Sequence, residues 1–279
     1  MTILEFLNVT GGYFSKHGVE SPRLTAELLL ATALGKKRMQ LYLEFESEVS
    51  PAVLDQLRPL VKRRAQGEPL QYVQGFAEFA GAKFIVTPDV LIPRPETELL
   101  LERMIALLGP TPDPAHGALA DLGTGSGILA VTLARKFPAL PVHAVDLSPA
   151  ALAVARSNGE GLANLTFHEG NLLAPLAGIP LQAVAANLPY IPSPAIETLS
   201  REVRQEPRLA LDGGADGLDL VRELIAQNAS SPAPLLGLEI GDGQAAAVGE
   251  LLKAGGYRAV ESIKDLRGMA RVLIGNNRG

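Results

Sequence analysis

The glycine-rich segment at residues 123–127 has the composition of a ligand-binding loop. Its sequence is Gly-Thr-Gly-Ser-Gly, and it lies between an apolar run at 118–122 and a helical pattern at 128–136. Glycines let the backbone turn sharply and lie against a ligand, and the helix that follows offers free N–H groups at its start. The segment therefore predicts binding of a nucleotide-like cofactor, although a purely structural turn has the same composition.

The spacing of these glycines indicates which cofactor is bound. A dinucleotide fingerprint would need a glycine where this chain has Ile128, and the Gly-Lys-Ser/Thr of a P-loop is absent. With Asp121 two residues before its first glycine, the loop instead resembles the S-adenosylmethionine loop of Rossmann-like methyltransferases. Asp146 ends the next apolar run, where a carboxylate can accept hydrogen bonds from ribose hydroxyls. The alternative is that the segment from Asp146 to Pro149 only caps a helix.

A second polar segment, Asn-Leu-Pro-Tyr at 187–190, directly follows the apolar run at 183–186. An amide nitrogen is a poor nucleophile because its lone pair is delocalised, so its methylation requires that the nitrogen be positioned and its hydrogens accepted. The Asn187 oxygen can accept one N–H, a nearby main-chain carbonyl can accept the other, and Tyr190 can pack on the planar group. An ordinary strand-to-loop turn also favours Asn and Pro.

The 187–190 segment resembles the Asn-Pro-Pro-Tyr motif of methyltransferases that act on planar-group nitrogens, which include adenine-N6 and glutamine-N5 enzymes. Leu188 replaces the first proline of that motif. The replacement keeps the carbonyl, and Pro189 still favours an extended conformation at residue 188. The fixed φ of a proline at 188 is lost.

Three longer segments resemble the signatures of one family. Residues 90–98, Val-Leu-Ile-Pro-Arg-Pro-Glu-Thr-Glu, are similar to the I-P-R-P-E-T-E signature of the release factor glutamine methyltransferases known as PrmC or HemK. Residues 206–218 are similar to that family's E-P-x-x-A-L-x-G-G-x-D-G-L, and residues 264–271 to its K-D-L-x-G-x-x-R. The resemblance is strong over about residues 70–279.

This resemblance implies a role for each matching residue. The glycine-rich loop would surround the methionine part of the cofactor through Gly123, Thr124, Gly125, Ser126 and Gly127. Asp146 would bind the ribose, while Asn171 and Leu172 fall where the family borders the adenine, often with an acid and an aromatic residue. The glutamine would be held by Asn187, Leu188, Pro189 and Tyr190, with Asn187 also bordering the cofactor.

The resemblance further implies transfer of a methyl group from S-adenosylmethionine to the N5 nitrogen of the Gly-Gly-Gln glutamine in class I peptide chain release factors. The helical residues at the start of the chain would bind the release factor. Two alternatives remain open at this point. One is an adenine-N6 nucleic-acid methyltransferase, which would need a basic groove and a base-flipping pocket. The other is a non-catalytic adaptor that binds the cofactor.

The elements that must position these residues follow an α/β pattern. Apolar runs separated by stretches long enough for crossover helices predict seven strands, at 118–122, 142–145, 165–167, 183–186, 235–240, 259–263 and 271–274. Ligands bind beyond the carboxyl ends of the strands in such sheets. We therefore expect a Rossmann-like seven-stranded methyltransferase domain, preceded by a small helical domain and a β-hairpin linker.

Helix signals precede this sheet pattern. Ser-Pro pairs at 21–22 and 50–51 predict helix starts, and Pro59 is expected to kink or split the second helix. Aromatic and β-branched residues broken by glycines predict a hairpin before a helix at 95–108. The expected division is a helical domain at 1–67, a hairpin linker at 68–92 and the methyltransferase domain at 93–279.

Composition excludes several classes of protein. With 47% hydrophobic and 20% charged residues, the chain is expected to fold without a membrane span or signal peptide and to remain in the cytoplasm. Cysteine is absent and the four histidines lack ligand spacing, so we expect no metal. A net charge of −5 argues against a DNA partner. A monomer is expected.

Overall fold

The computed structural model of the chain describes residues 1–229 and 232–277. It forms two compact units, one made of Met1–Phe76 with Ser200–Gln205, the other of Ala77–Leu199 and the chain from Glu206 onward. We call them the helical unit and the sheet unit. Within the described ranges, no helix is long and apolar enough to cross a membrane.

The helical unit buries the apolar faces of five α-helices against one another. These are α1 (Ile3–Lys16), α2 (Pro22–Leu34), α3 (Arg38–Leu43), α4 (Pro51–Ala65) and α5 (Leu70–Gln74). The Ser50 hydroxyl accepts a hydrogen bond from the Val53 N–H at the start of α4, as its Ser-Pro pair predicts. The helix start predicted at Ser21-Pro22 is also confirmed, since α2 begins at Pro22, although Ser21 has a φ of 47° and makes no side-chain cap. Pro59 lies inside α4, which runs unbroken from Pro51 to Ala65, so it does not split the helix.

The sheet unit begins with a hairpin, as the sequence predicts for this part of the chain. Its strands are β1 (Phe76–Phe79) and β2 (Ala82–Ile85), and the helix α6 (Pro95–Leu108) follows. The segment predicted as the linker also contains the short helix α5. The division of the chain at residues 67 and 92 stays a prediction.

All seven predicted strands are present and form one mixed sheet in the order β5-β4-β3-β6-β7-β9-β8. The strands are β3 (Ala118–Leu122), β4 (Val142–Asp146), β5 (Leu165–Glu169), β6 (Leu181–Ala186), β7 (Leu235–Glu239), β8 (Ala259–Lys264) and β9 (Ala270–Asn276). Strand β9 runs antiparallel to both of its neighbours, β7 and β8, and the other neighbouring strands of this sheet are parallel. The strands that follow β3 in the chain lie on both sides of it, β4 on one side and β6 on the other. A crevice therefore opens beyond the carboxyl end of β3.

Helices cover both faces of this sheet and bury its apolar side chains. The crossover helices are α7 (Ile128–Lys136), α8 (Pro149–Asn158), α9 (Asp219–Asn228) and α10 (Ala245–Ala254). One core cluster contains Leu100 of α6 and Val131 of α7, while the other contains Leu224 of α9 and Leu252 of α10. Strands β3 and β7 are buried along their whole length, which is expected for strands covered on both faces.

Candidate active site

An open cavity lies beyond the carboxyl ends of β3, β4, β5 and β6, and its empty space of about 1090 Å³ includes the solvent at its mouth. Ten of the predicted site residues line it: Gly123, Thr124, Gly125, Ser126, Asp146, Asn171, Leu172, Asn187, Leu188 and Pro189. Two predicted residues, Gly127 and Tyr190, are not among its lining residues. Gly127 instead begins α7 with a φ of 83°, and Tyr190 directs its hydroxyl toward Glu239.

The loop at 123–127 is held in place from beneath by Asp121, the last polar residue of β3. The Asp121 carboxylate accepts hydrogen bonds from the Thr124 hydroxyl at 2.6 Å and from the Ala130 N–H at 3.0 Å. Burial raises the pKa of Asp121 to about 6, against the opposing effect of these two bonds. Thr124 therefore turns its side chain away from the cavity and contributes its backbone.

Asp146 connects the ends of β3 and β4. One carboxylate oxygen accepts from the Gly125 N–H at 2.8 Å, and the other accepts from the Ser148 N–H at 2.9 Å. Burial raises the pKa of Asp146, while its backbone hydrogen bonds lower it. The helix cap considered above is also present, but it is made by the Ser148 hydroxyl, which accepts from the Ala151 N–H. Each Asp146 oxygen keeps further acceptor capacity for a ligand.

Asn171 and Leu172 follow β5 and form the wall next to Asp146. The Asn171 amide donates to the Glu223 carboxylate at 2.6 Å. Leu172 is buried and has a φ of 51°, a conformation that a branched side chain adopts rarely. Backbone strain of this kind concentrates at ligand sites, and here it places an apolar side chain in the cavity wall.

The side-chain amide of Asn187 has a defined direction. Its nitrogen Nδ2 donates to the Thr97 hydroxyl at 3.1 Å, and that hydroxyl donates to Glu239 at 2.6 Å. Within the described residues no donor reaches its oxygen Oδ1. Because Asn187 lines the cavity, this oxygen is available to accept a hydrogen bond from a ligand.

The other three residues of the 187–190 segment are fixed by packing and by backbone contacts. Leu188 is 4% exposed and packs close to Gly123, so the two motif loops contact each other. Gln244 donates its side-chain amide to the Tyr190 carbonyl at 2.9 Å. Burial raises the pKa of the Tyr190 hydroxyl above its usual range, so the hydroxyl stays protonated. It therefore contributes an aromatic face and no base.

Sequence reasoning missed the residues that hold this segment from behind. Glu239, Gln244 and the hydroxyl of Thr97 were not assigned a role, although Thr97 lies inside the segment 90–98. The signal for Glu239 is a charged residue at the end of an otherwise apolar strand. Buried carboxylates are rare unless they are paired, so such a residue indicates a positioned polar contact.

Two of the family-like segments are joined by Glu206. This buried carboxylate accepts from the Ile92 N–H at 3.0 Å and forms an ion pair with Arg94. The pair connects residues 90–98 to residues 206–218 at the cavity wall. Both segments therefore help to form the wall of the cavity.

The glycines of the segment 206–218 lie directly against the 187–190 loop. A Cβ atom at Gly213 would be 2.5 Å from the Pro189 carbonyl oxygen, and one at Gly217 would collide with the Tyr190 carbonyl. Only glycine fits at either position without a shift of the 187–190 loop. These glycines let the two loops approach each other.

The substitution Gly217→Ala is expected to lower methyl transfer and to destabilise the protein, because its Cβ displaces the Tyr190 carbonyl. Overpacking of this kind costs about 1–3 kcal/mol beyond the strain of a positive φ. Gly243→Ala is the matched control, since Gly243 has a φ of 78° against 80° for Gly217 but no atom within 4 Å of its Cβ position. Urea denaturation and initial rates measure both effects. Equal losses in the two variants would contradict the contact.

Glu239 is expected to make the protein less stable as the pH rises. Burial raises its pKa from 4.5 to about 7, so its protonated form is favoured in the folded state. Its contribution to stability is complete below pH 4.5 and is lost through pH 7, by up to about 3 kcal/mol. The non-titrating variant Glu239→Gln should therefore gain stability relative to wild type between pH 5 and pH 8 in urea denaturation. Parallel stability curves would contradict the assignment, since Asp121 titrates equally in both proteins.

Comparison with known proteins decides the family. Residues 5–75 match the family described as PrmC N-terminal domain, and residues 119–206 match the one described as Methyltransferase domain. The release factor glutamine methyltransferase of Moorella thermoacetica is 44% identical, over 100% of this chain and 99% of that protein. That of Geobacter sulfurreducens is 42% identical, over 98% and 96% respectively. This chain belongs to the release factor glutamine methyltransferase family.

Solved structures support the fold of this methyltransferase. The hMettl16 catalytic domain, solved in complex with a MAT2A 3'UTR hairpin, superposes with a TM-score of 0.57 at 14% identity, over 80% of this chain and 84% of that one. A methyltransferase from Pyrococcus furiosus gives a TM-score of 0.51 at 18% identity, over 71% and 90%. At these identities the likeness shows the Rossmann-like fold alone. The fold class expected from the sequence is confirmed.

The methyl donor of this methyltransferase is S-adenosylmethionine, and the cavity suits it. The glycine-rich loop offers backbone that can lie against the amino-acid part, and Asp146 offers carboxylate oxygens for ribose hydroxyls. The wall beside Leu172 is apolar enough for a planar base. The assignment of single residues to parts of the cofactor stays a prediction.

Proposed function

We propose that this methyltransferase modifies the side-chain amide nitrogen of the glutamine in the Gly-Gly-Gln motif of class I peptide chain release factors. The observation that carries the proposal is the direction of the Asn187 amide, whose oxygen is left to accept an N–H at the cavity wall. A primary amide presents two N–H donors on one planar group. The names of the relatives, release factor glutamine methyltransferase, support the same substrate.

The residues around the amide prepare it for attack. Asn187 accepts one N–H and a main-chain carbonyl of the 187–190 segment accepts the other, so the nitrogen is held in one place. When bound, S-adenosylmethionine supplies a methyl group on a positively charged sulfur. The nitrogen forms the new N–C bond as the S–C bond breaks, and the proton it then carries passes to water. Positioning of this kind reduces the entropy cost of the reaction.

In this proposal Tyr190 supports the 187–190 segment from outside the cavity lining. Its carbonyl is tied by Gln244 and its ring by burial, so the segment keeps its shape without the proline that Leu188 replaces. The packing of Leu188 against Gly123 substitutes for the missing φ restraint. The departure from the family motif is therefore compatible with catalysis.

The experiment that tests this function follows label from S-adenosylmethionine to purified release factor. The comparison substrates are the release factor with Gln→Ala in its Gly-Gly-Gln motif and unmethylated DNA. Label on the wild-type factor alone supports the proposal. Label on DNA supports adenine-N6 transfer, and bound cofactor without any label supports the non-catalytic adaptor; either result overturns it.

We further infer that the helical unit binds the release factor, that the chain acts as a monomer and that it works in the cytoplasm, where release factors act. Met39 and Leu43 are 66% and 86% exposed and lie four residues apart on α3, so they form an apolar contact surface. The double variant Met39→Ser with Leu43→Ser should raise KM for the release factor about tenfold, which corresponds to about 1.4 kcal/mol. The rate with a short Gly-Gly-Gln peptide is the control and should not change. An unchanged KM would contradict this role.

A further inference from the structure

We propose that Thr97 and Glu239 are positioning residues that decide which end of the Asn187 amide faces the substrate. This inference rests on the proposed function, because it assigns the direction of the acceptor that the glutamine amide would meet. The three residues come from three elements. Thr97 lies in the first turn of α6, Glu239 ends β7, and Asn187 follows β6.

Two of these residues, Thr97 and Glu239, are buried, and the third, Asn187, reaches the cavity. Thr97 is 0% exposed and Glu239 is 3% exposed, whereas Asn187 lines the cavity. The Thr97 hydroxyl donates to Glu239 Oε2 at 2.6 Å, and Asn187 Nδ2 donates to that hydroxyl at 3.1 Å. Water has no access to the Thr97 hydroxyl, so its partners decide its orientation.

The hydrogen bonds from Asn187 to Thr97 and from Thr97 to Glu239 form a relay. Its direction follows from the number of hydrogens that each group carries. A threonine hydroxyl has one hydrogen, and an ionised carboxylate can only accept. Above a pH of about 7, where Glu239 is ionised, Thr97 must therefore give its hydrogen to Glu239 and present lone pairs to Asn187. The Asn187 amide must then point its NH2 group at Thr97 and its oxygen toward the cavity.

Without this relay, the two orientations of the Asn187 amide differ little in shape, because its oxygen and NH2 group are similar in size. The reversed orientation would present two N–H donors to the substrate amide, which itself needs acceptors for its hydrogens. A donor facing a donor leaves both without a partner, which is costly once the bound substrate excludes water from the contact. The relay therefore determines the preference for a substrate with N–H groups.

The relay also depends on the charge of Glu239. The titratable and charged groups that face it are Glu96 and Arg94 at the start of α6 and Tyr190 after β6, and Arg271 on β9 faces Tyr190 in turn. A protonated Glu239 becomes a donor to Thr97, which then directs its own hydrogen at Asn187. That arrangement favours the reversed amide, so acceptor function is lost as the pH falls.

The test compares two substitutions of Thr97 that differ in the hydroxyl. Thr97→Val keeps the shape and should lower kcat for release factor methylation about 10–100-fold, the equivalent of one or two lost hydrogen bonds. Its dissociation constant for S-adenosylmethionine should stay within about twofold of wild type. Thr97→Ser should restore kcat to within about twofold of wild type. Thr132→Val makes the same chemical change on α7, outside the cavity lining, and should leave kcat unchanged.

The second readout is the pH profile of Glu239→Gln. Glutamine carries one acceptor and one donor group, as a protonated glutamate does, so this variant should have a lower kcat than wild type at neutral pH. The wild-type kcat should fall as the pH drops below about 7, and the variant should lack this fall. A fall that persists in the variant, or a Thr97→Val enzyme with wild-type kcat, would overturn the inference. Equal defects in both Thr97 variants with weakened cofactor binding would also overturn it, since they indicate a structural role.

These outcomes separate the inference from the proposed function. If wild-type protein transfers no label to the release factor, the proposed function fails before any variant is compared. If wild type is active and the Thr97 and Glu239 variants behave like it at every pH, only the positioning role fails.

Discussion

Replacing Asn187 with alanine is expected to lower kcat for methyl transfer by about 10²–10³-fold, the usual effect of removing one preorganised polar group that contacts the reacting atoms. The Asn187 oxygen is the acceptor that the described residues leave free at the cavity wall. Its loss leaves one substrate N–H without a partner and the nitrogen without a fixed direction. Affinity for S-adenosylmethionine, measured by calorimetry, should change little, because most of the cofactor surface lies elsewhere.

The aspartate variant at the same position is the informative control. Asn187→Asp keeps an acceptor toward the cavity but replaces the donor to Thr97 with an oxygen, so it should fall between alanine and wild type. A wild-type rate in Asn187→Ala would mean that a group other than Asn187 accepts the substrate N–H. If kcat is retained and cofactor binding is weakened, Asn187 contacts the cofactor and not the substrate amide.

Replacing Asp146 with alanine is expected to raise the dissociation constant for S-adenosylmethionine about 10–100-fold. A hydrogen bond to a charged group contributes about 1.5–3 kcal/mol, and the variant loses the carboxylate that the ribose is proposed to meet. It also frees the Gly125 N–H that Asp146 now holds at 2.8 Å, so the glycine-rich loop becomes less well ordered. Titration calorimetry with the cofactor measures the change directly.

The control for Asp146 removes the same charge from the same cavity. Asp89 lines the cavity, is exposed, and accepts a hydrogen bond from the Thr87 hydroxyl at 2.9 Å. Asp89→Ala should leave the dissociation constant within about threefold of wild type, because a screened surface charge contributes little. If both variants weaken binding equally, the effect of Asp146 is one of net charge and the ribose contact is wrong.

Much of the sheet could be predicted because the spacing of apolar residues and the length of each apolar run indicate strands. All seven strands start or end within a few residues of their predicted bounds, and the helix predicted at 95–108 is α6 without change. The glycine-rich loop and the 187–190 segment were found because each follows a strand of the parallel part of the sheet. Both Ser-Pro pairs mark helix starts as predicted, but the pair at 21–22 does not reveal the left-handed φ of Ser21.

The candidate site was predictable only where its residues touch the cavity. Ten of the predicted residues line the cavity, while Gly127 and Tyr190 are not among its lining residues. Their roles are to begin α7 and to anchor the loop. Local spacing cannot separate a residue that meets the ligand from its neighbour that holds the backbone.

The sequence by itself determined the class of fold, the family and the two loops at 123–127 and 187–190, because each of these is indicated by residues close together along the chain. The tertiary structure decided how those loops are held. Asp121 under the glycine-rich loop, Glu206 between two segments and the Glu239–Thr97–Asn187 contact join residues far apart in sequence. Such contacts depend on strand order and on which side chains burial brings together. A carboxylate in an apolar strand reveals its partner only when the neighbouring strand and helix are in place.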